Sequence, residues 1–470
     1  MAFGYVDTRT IECFEMSTPL VFKFGGASVK DADSVRNVAR IIGLFTQRPM
    51  VVVVSAMGKT TNAFEEIVGY WSRNELELAK ERIDAIREFH FEIIEALFEE
   101  PGAVKSEVQE LLHQVNAGID RTDLSYGEAY DFIVHHGELI STKIIAAYLG
   151  RITPTVWQDT RLLVHTDDQF RRATVRWEET TTAIQNRLDS GKVNVVQGFI
   201  GATASGKPTT LGREGSDYTA AIIAAALHAS VLQIWTDVSG MFTSNPKMVK
   251  HAKPIAKLSY LEAIELSHFG AKVLYPPTVL PVLSKNIPIR IKNTLVPDQE
   301  GTLISKYVIN GNNNPIKGIS NINGISLLTL QGHGMVGIPG FSKRLFETLA
   351  REKINVVIAT QASSEHSICV GVSDQDARLA KLALDEEFEN EISLLKIDPL
   401  VLEQQLSIVA VVGEKMKNHQ GISGRMFSML GKNNVNIRAI AQGASERNIT
   451  AIITEKDVKK ALNCLHEAFF

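Results

Sequence analysis

The sequence predicts an α/β protein: a mostly parallel sheet covered by helices, followed by two copies of a smaller βαββα module. Three observations support this fold class. Over the first 300 residues, β-branched runs alternate with amphipathic stretches, which is typical of parallel sheets. The last third of the chain repeats itself at a constant offset of 81 residues. With 470 residues, 44% of them hydrophobic, the chain is long enough for two or three domains with their own cores.

Four β-branched runs of buried-strand length define the predicted sheet. They are residues 20–24, 50–55, 193–199 and 231–236. Helical spacing of apolar residues predicts helices over 81–98 and 138–149. Ligands of parallel sheets bind beyond the carboxyl ends of the strands. We therefore expect four loops to share one edge of the sheet, namely the turns after Phe24 and Leu211, the turn at Ser55–Gly58 and the turn at Thr236–Asp237.

The first of these turns has the composition of a phosphate site. Lys23 is the one cation of an apolar strand, and Gly25 and Gly26 follow it directly. Glycine lets the backbone turn sharply and present N–H groups to an anion, while the lysine adds a point charge. A plain glycine turn is the alternative interpretation.

A second glycine turn favours the phosphate interpretation. Residues 212–217 read Gly-Arg-Glu-Gly-Ser-Asp and lead into a small-residue helix predicted over 218–227. This junction places Arg213 and Asp217 at a helix start. Asp217 is then also a candidate N-cap of that helix.

The last third consists of two βαββα modules. Eleven residues of the first copy recur 81 positions later, among them Gly340, Arg344 and Gln361, which return as Gly421, Arg425 and Gln442. This pattern resembles the ACT domain, a ferredoxin-like module that senses small molecules. A pair of inert dimerisation modules is the alternative. The Asn-rich segment 304–317 is the predicted linker.

Composition and charge exclude several classes of function. A net charge of −4 with interspersed signs indicates neither nucleic-acid nor membrane binding. Three scattered cysteines (Cys13, Cys369 and Cys464) form no disulfide framework, so a cytoplasmic protein is expected. Residues 1–16 match no motif, show no signal-peptide core and precede Met16-Ser17, an alternative start.

Two motif matches are better explained by ordinary structure. Residues 201–207 have the spacing of a phosphate-binding Walker loop, but Pro208 replaces the hydroxyl residue, so a hairpin tip is predicted. His135 and His136 have no third ligand at metal-binding spacing, which favours a helix start. We therefore predict no dedicated metal site.

Seven segments taken together resemble aspartate kinase, in the order and spacing of that family. They are Lys23–Gly26, Ser55-Ala56, Thr61-Asn62, Gly137-Glu138, Gly212–Asp217, Thr236–Val238 and Phe269–Leu274. The resemblance implies the amino-acid kinase fold, the substrates L-aspartate and ATP, and Mg²⁺ with the nucleotide. It implies phosphorylation of the side-chain carboxylate of aspartate, the first step towards lysine, threonine and methionine. The expected domains are residues 17–305, 318–395 and 404–470.

The resemblance also assigns roles to residues. Lys23 is expected to stabilise the phosphoryl group in transfer, and Asp217 to orient Lys23. Arg213 is expected to bind the α-carboxylate of aspartate and Glu138 its ammonium group. The substrate set is completed by Ser55, Thr61, Asn62, Glu214, Gly215 and Ser216. A carboxylate is already ionised near neutral pH, so no general base is required.

On the nucleotide side, the resemblance assigns ATP contacts to Lys23, Phe24, Gly25, Gly26, Thr236, Asp237, Phe242, Lys247, Lys272 and Val273. The chain departs from the family at four positions. Ala27 replaces a threonine, Phe242 a tyrosine, Asn245 an aspartate and Lys247 an arginine. These changes alter nucleotide contacts rather than the reaction.

The first module is expected to bind an amino-acid effector, either lysine or threonine, with a weak leaning towards threonine. The expected effector residues are Met335, Gly340, Thr360, Gln361, Ser363, Ser364 and Glu365, with Gln442 in the second module. Because ACT sheets commonly pair between subunits, we expect a homodimer or a dimer of dimers. Two alternatives stay open: another amino-acid kinase of the same fold, and a non-catalytic amino-acid sensor.

Overall fold

The computed structural model describes residues 18–45, 48–269, 274–306, 314–335, 339–361 and 367–470. These residues form two compact units. The first contains described residues within 1–241, 256–260 and 273–308, and the second those within 242–255, 261–272 and 309–470. Residues 242–255 and the described part of 261–272 therefore belong to the same unit as the repeated tail, although they lie far from it in sequence.

The first unit is built on an eight-stranded sheet. In spatial order its strands are β3 (Thr155–Gln158), β5 (Val193–Gln197), β2 (Met50–Val54), β1 (Leu20–Phe24), β8 (Val231–Thr236), β10 (Ile289–Asn293), β11 (Thr302–Ile304) and β9 (Lys257–Leu258). Every neighbouring pair from β3 to β10 is parallel, and the β10–β11 pair is antiparallel. The carboxyl ends of β1, β2, β5 and β8 thus lie along one edge, as the sequence predicts.

Helices cover this sheet. In chain order they are α1 (Ala32–Gly43), α2 (Thr60–Ser72), α3 (Leu76–Leu97), α4 (Gly102–Ile119), α5 (Tyr126–Val134), α6 (His136–Gly150), α7 (Trp177–Arg187), α8 (Gly215–Ala226) and α10 (Pro276–Ser284), with α9 (Tyr260–His268) mostly in the second unit. Phe22, Phe24 and Trp235 pack with α1–α4 and α6 in a core on one side of the sheet. On β1, Lys23 lies between Phe22 and Phe24. Since successive side chains of a strand point to opposite faces, Lys23 points away from that core.

A small three-stranded sheet lies beside the main one and corrects the sequence prediction. It consists of β4 (His165–Thr166), β6 (Ile200–Thr203) and β7 (Pro208–Thr210), with the predicted hairpin tip between β6 and β7. The strand expected over 193–199 ends at Gln197, because Phe199 adopts a left-handed backbone (φ 72°). The turn after Leu211 follows β7, a strand of this small sheet and not of the main one.

The second unit contains both repeats in one six-stranded sheet. Its strands, in spatial order, are β13 (Ile358–Gln361), β14 (Ser367–Ser373), β12 (Gly318–Gln331), β15 (Val401–Val412), β17 (Asn448–Thr454) and β16 (Ala439–Ala441). The helices of the repeats are α11 (Phe341–Arg351), α12 (Ala377–Glu387), α13 (Glu389–Ser393), α14 (Ile422–Lys432) and α15 (Val458–Phe469). The predicted βαββα order is present in both copies.

The two repeats exchange strand segments. The start of β12, residues 318–323, pairs with residues 407–412 of the second repeat. The start of β15, residues 401–403, pairs with residues 327–329 of the first repeat. Left-handed residues Gly324 (φ 71°) and Gln405 (φ 58°) interrupt the pairing between these halves. Each repeat therefore gains a fourth strand from the other, and the two form a single body.

Candidate active site

A buried ion pair lies at the carboxyl edge of the main sheet. Lys23 Nζ on β1 is 2.6 Å from Asp217 Oδ1 in the first turn of α8, and the two side chains are 10% and 6% exposed. Because α8 begins at Gly215, with Glu214 as its N-cap residue, the prediction of Asp217 as an N-cap was wrong. Asp217 instead fixes the ammonium group of Lys23. A Cβ on Gly25 would lie 3.5 Å from Lys23 Nζ, so this ammonium lies close to the glycine turn.

The glycine turn at Gly25 and Gly26 packs tightly against the turn that follows β2. A Cβ on Gly26 would lie 2.7 Å from the carbonyl oxygen of Ala56, a distance that no side chain tolerates. The N–H of Gly58 also donates a hydrogen bond of 3.0 Å to the carbonyl of Gly26. Glycine at position 26 thus allows two loops to meet next to Lys23.

Glu138 is a buried carboxylate in the first turn of α6. It is 2% exposed, and its Oε1 accepts a hydrogen bond of 3.3 Å from the N–H of Ala56. Its Oε2 has no hydrogen-bond partner among the described residues. Burial raises the pKa of Glu138 to about 8. An unpartnered buried carboxylate of this kind suits a cationic ligand group.

Glu138 faces a cavity of about 630 Å³ in the first unit. The lining residues are Ser55, Thr61, Glu65, Tyr130, Glu138, Arg171, Arg172, Phe199, Gly212, Arg213, Glu214, Gly215 and Ser216. This wall includes every predicted substrate residue except Asn62, which is exposed on α2. Three arginines and three glutamates make the cavity suitable for a small ligand that carries both charges.

Six lining residues were missed by sequence reasoning. They are Glu65, Tyr130, Arg171, Arg172, Phe199 and Gly212, and only Gly212 belonged to a recognised motif. Tyr130 donates a hydrogen bond of 2.6 Å to Glu65. The adjacent residues Arg171 and Arg172 were the sequence feature that could have indicated this part of the wall. Two neighbouring arginines outside a helix are candidates for contacts with an anion.

The loop before α8 is bent by left-handed residues. Gly212 has φ 77° and Glu214 has φ 53°, which is an uncommon conformation for a residue with a side chain. A Cβ on Gly215 would lie 2.7 Å from the ring of Phe199, so the start of α8 packs tightly on the turn at 198–199. Arg213 projects from this loop at the cavity wall and is exposed.

Besides Lys23 to Gly26 at the end of β1, the expected nucleotide residues fall into three groups. Thr236 and Asp237 follow β8 at the sheet edge, with a hydrogen bond of 3.2 Å from the Thr236 hydroxyl to Asp237. Phe242 and Lys247 belong to the second unit, where Lys247 is exposed and its N–H donates to Asn245 Oδ1. Lys272 and Val273 lie outside the described residues.

The expected effector residues are only partly within the described chain. Gly340 is the N-cap residue of α11 with φ 109°, and Thr360 and Gln361 lie on the edge strand β13. Met335 is 3% exposed and packs in the core of the first repeat. Gln442 is exposed just after β16, while Ser363, Ser364 and Glu365 lie outside the described residues.

His135 and His136 are buried histidines where α5 ends and α6 begins. Their Nδ1 atoms hydrogen-bond the carbonyls of Asp131 and Phe132 four residues earlier, as in a continuous helix. Burial lowers the pKa of His136 to about 4 and that of His135 well below its usual value, so both rings are neutral. No group of three His, Cys, Asp or Glu side chains suited to a metal occurs in the described chain. Within it, no helix is long and apolar enough to cross a membrane.

Comparison with known families agrees with this geometry. The profile of the amino acid kinase family matches residues 18–293, and the ACT domain profile matches residues 328–388 and 409–469. The chain therefore belongs to the amino acid kinase family, and within it to the aspartokinases.

Two relatives and one solved structure illustrate the match. The chain is 33% identical to a chloroplastic bifunctional aspartokinase/homoserine dehydrogenase 1 of Arabidopsis thaliana over 96% of its length, and it spans about half of that relative, 51%. It is 33% identical to lysine-sensitive aspartokinase 3 of Escherichia coli, over 97% of this chain and 100% of that one. The structure of E. coli aspartokinase III with aspartate and ADP superposes with a TM-score of 0.80, 32% identity and coverage of 96% and 99%.

Proposed function

We propose that this chain transfers the γ-phosphoryl group of ATP to the side-chain carboxylate of L-aspartate, forming 4-phospho-L-aspartate and ADP. The observation that carries this proposal is the unpartnered Oε2 of Glu138 in a cavity that also contains Arg213. Ser216 lines the same cavity, and the adjacent Asp217 holds Lys23. These neighbouring residues support an amino-acid site next to a phosphate site. E. coli aspartokinase III, which has the same fold, was solved with aspartate and ADP.

The substrate would be oriented by its charges. The ammonium group would pair with ionised Glu138, and the α-carboxylate with the forked guanidinium of Arg213. Thr61 and the hydroxyl of Ser216 would add hydrogen bonds. This orientation would direct the side-chain carboxylate at the phosphoryl group, which must approach to about 3–3.5 Å.

Lys23 would supply the charge control that the reaction needs. The attacking carboxylate and the phosphate are both anionic, and the transferring group spreads negative charge over three oxygens. An ammonium group that is already fixed by Asp217 stabilises that charge without reorganising. Asp217 removes no proton, because the carboxylate of the substrate is already ionised.

For the nucleotide, we propose contacts with Phe24, Gly25, Gly26, Thr236, Asp237, Phe242, Lys247, Lys272 and Val273. Mg²⁺ usually binds through one or two carboxylates and the phosphates of its nucleotide, so the absence of a three-ligand cluster among the described residues is compatible with it. When bound, Mg²⁺ would neutralise phosphate charge. Asp237, exposed at the end of β8, is the candidate carboxylate.

We further propose that an amino-acid effector, lysine or threonine, binds the repeats and inhibits the reaction in a homodimer or dimer of dimers. The left-handed Gly340 opens α11, whose free N–H groups suit a carboxylate. Thr360 and Gln361 lie on β13, the strand at one end of the six-stranded sheet, and ACT sheets commonly pair between subunits. The E. coli relative is lysine-sensitive. Activity that stays flat to millimolar lysine and threonine, alone or together, would contradict this part.

The proposed activity is tested by ADP release with L-aspartate, L-glutamate and N-acetylglutamate as acceptors. We expect release with aspartate alone, and its loss in Lys23→Ala. Lys30→Ala is the matched control, since Lys30 is an exposed lysine that ends the same turn. Release with glutamate or acetylglutamate instead would indicate a sibling kinase, and no release with any acceptor would favour a sensor without catalysis.

A further inference from the structure

Asp131 is a fully buried carboxylate outside the cavity wall. It lies on α5, is 0% exposed and receives hydrogen bonds from two separate segments, the loop at Arg171 and the end of β7. The N–H of Arg171 donates to both carboxylate oxygens at 3.0 and 2.9 Å. The N–H of Thr210 donates to Oδ2 at 3.0 Å, and the hydroxyl of Thr210 donates to Oδ1 at 2.6 Å.

The two loops that meet at Asp131 carry the arginines of the cavity. One contains Arg171 and Arg172, and the other follows Thr210, the last residue of β7, and includes Arg213. They also touch directly, because a Cβ on Gly212 would lie 3.4 Å from the carbonyl of Arg171 and 3.5 Å from Arg172 Cγ. A shift of either loop at Asp131 would therefore move the cationic side of the cavity.

The loop at Arg171 is held in a costly conformation. Arg171 has φ 69°, which is left-handed, and such strain persists only where the surroundings fix it. Its guanidinium lies over the rings of Tyr126 and Tyr130, 5.3 and 4.9 Å from their centres. Helix α5 thus fixes Arg171 at its backbone through Asp131 and at its side chain through two tyrosines.

We propose that Asp131 is a positioning residue for the amino-acid substrate, which holds both arginine loops in the geometry that binds the α-carboxylate. This inference rests on the proposed function. A carboxylate is the group that suits this place, because it accepts from all these donors at once. An amide would direct its own N–H₂ at one of them. Asp131 would act on binding rather than on phosphoryl transfer, because Lys23, Asp217 and Glu138 are held by other contacts.

The test compares steady-state constants of three variants with the wild type, at a temperature well below every unfolding midpoint. Asp131→Asn is nearly isosteric and should raise the aspartate KM about tenfold or more, as the loss of charged hydrogen bonds does. Its kcat at saturating aspartate and its ATP KM should stay within about twofold. Thr210→Val removes the hydroxyl donor but keeps the N–H, so it should raise the aspartate KM less.

Asn194→Ala is the matched structural control. Asn194 is 2% exposed at the amino end of β5, where it anchors the 189–192 turn through hydrogen bonds to the carbonyls of Asp189 (2.7 Å) and Lys192 (3.1 Å). This end of the sheet is opposite the active edge. We expect a lower unfolding temperature with an unchanged aspartate KM.

An unchanged aspartate KM in Asp131→Asn would overturn the inference. It would also be overturned if Asn194→Ala raised the aspartate KM as much as Asp131→Asn does while lowering the unfolding temperature by the same amount. A lower kcat in Asp131→Asn with an unchanged aspartate KM would also overturn it. If Asp131→Asn does not fold, Thr210→Val decides by the same criteria. If the wild type itself shows no aspartate-dependent ADP release, the proposed function is refuted. The wild-type measurement thus separates failure of the proposed function from failure of the inference about Asp131.

Discussion

Replacement of Glu138 by glutamine should weaken aspartate binding and at the same time stabilise the ligand-free protein. Glutamine keeps the shape and the acceptor for the N–H of Ala56 but cannot ionise, so it cannot supply a negative charge to the ligand. Loss of a charge-assisted contact with the ammonium of aspartate costs about 1.5–3 kcal/mol. We therefore expect the aspartate KM to rise about tenfold to a hundredfold, with a much smaller change in kcat.

The stability gain follows from the pKa of Glu138, which burial raises from 4.5 to about 8. In this interval the folded protein holds a proton that the unfolded chain has lost, so wild-type stability falls as the pH rises. The fall is about 1.4 kcal/mol per pH unit and ends above pH 8. Glutamine does not titrate, so the stability difference between variant and wild type should widen from pH 5 to pH 8 and then level off.

Thermal unfolding of both proteins across this pH range, without substrate, measures the difference. Calorimetry at neutral pH in buffers of different ionisation enthalpy adds a second readout, because aspartate binding should release close to one proton in the wild type and fewer in Glu138→Gln. A constant stability difference from pH 5 to pH 9, or equal proton release in both proteins, would refute the reasoning. It would show that Glu138 is already ionised in the free protein.

Other variants test the remaining parts of the site. Lys23→Ala should lower kcat far more than it raises the aspartate KM, because its charge acts on the phosphoryl group in flight; an effect confined to KM would contradict that role. Arg213→Ala should raise the aspartate KM by about tenfold or more, and unchanged saturation would place the α-carboxylate elsewhere. Gly26→Ala should inactivate the protein, because its Cβ would lie 2.7 Å from the carbonyl of Ala56, whereas Gly43→Ala, with nothing within 4 Å of its Cβ, should leave kinetics unchanged.

The parallel sheet could be predicted because its signal is local. Strands buried on both faces are continuous apolar runs, so β1, β2 and β8 stand out, and the residue that ends each run marks the active edge. The repeats were equally visible as identities at constant spacing. The end of β5 was not, because nothing in its sequence shows that Phe199 takes a left-handed conformation.

Features that depend on distant contacts could not be predicted. The exchange between β12 and β15 joins residues about 70 to 95 positions apart, and each repeat read alone has the pattern of a separate module. Likewise Arg171 reaches the cavity because Asp131, 40 residues earlier, holds its N–H. The predicted substrate residues that line the cavity all belong to the family motifs, whereas Tyr130 and Glu65 come together only through the packing of α2 and α5.

Direct capture of the product tests the central claim most simply. An acyl phosphate reacts with hydroxylamine, so the protein incubated with ATP, Mg²⁺, L-aspartate and hydroxylamine should form aspartyl hydroxamate in step with ADP, identified by its mass. Lys23→Ala should form neither, and the wild type without aspartate should form no hydroxamate. ADP release without hydroxamate would show ATP hydrolysis in place of phosphoryl transfer to aspartate, and would contradict the account.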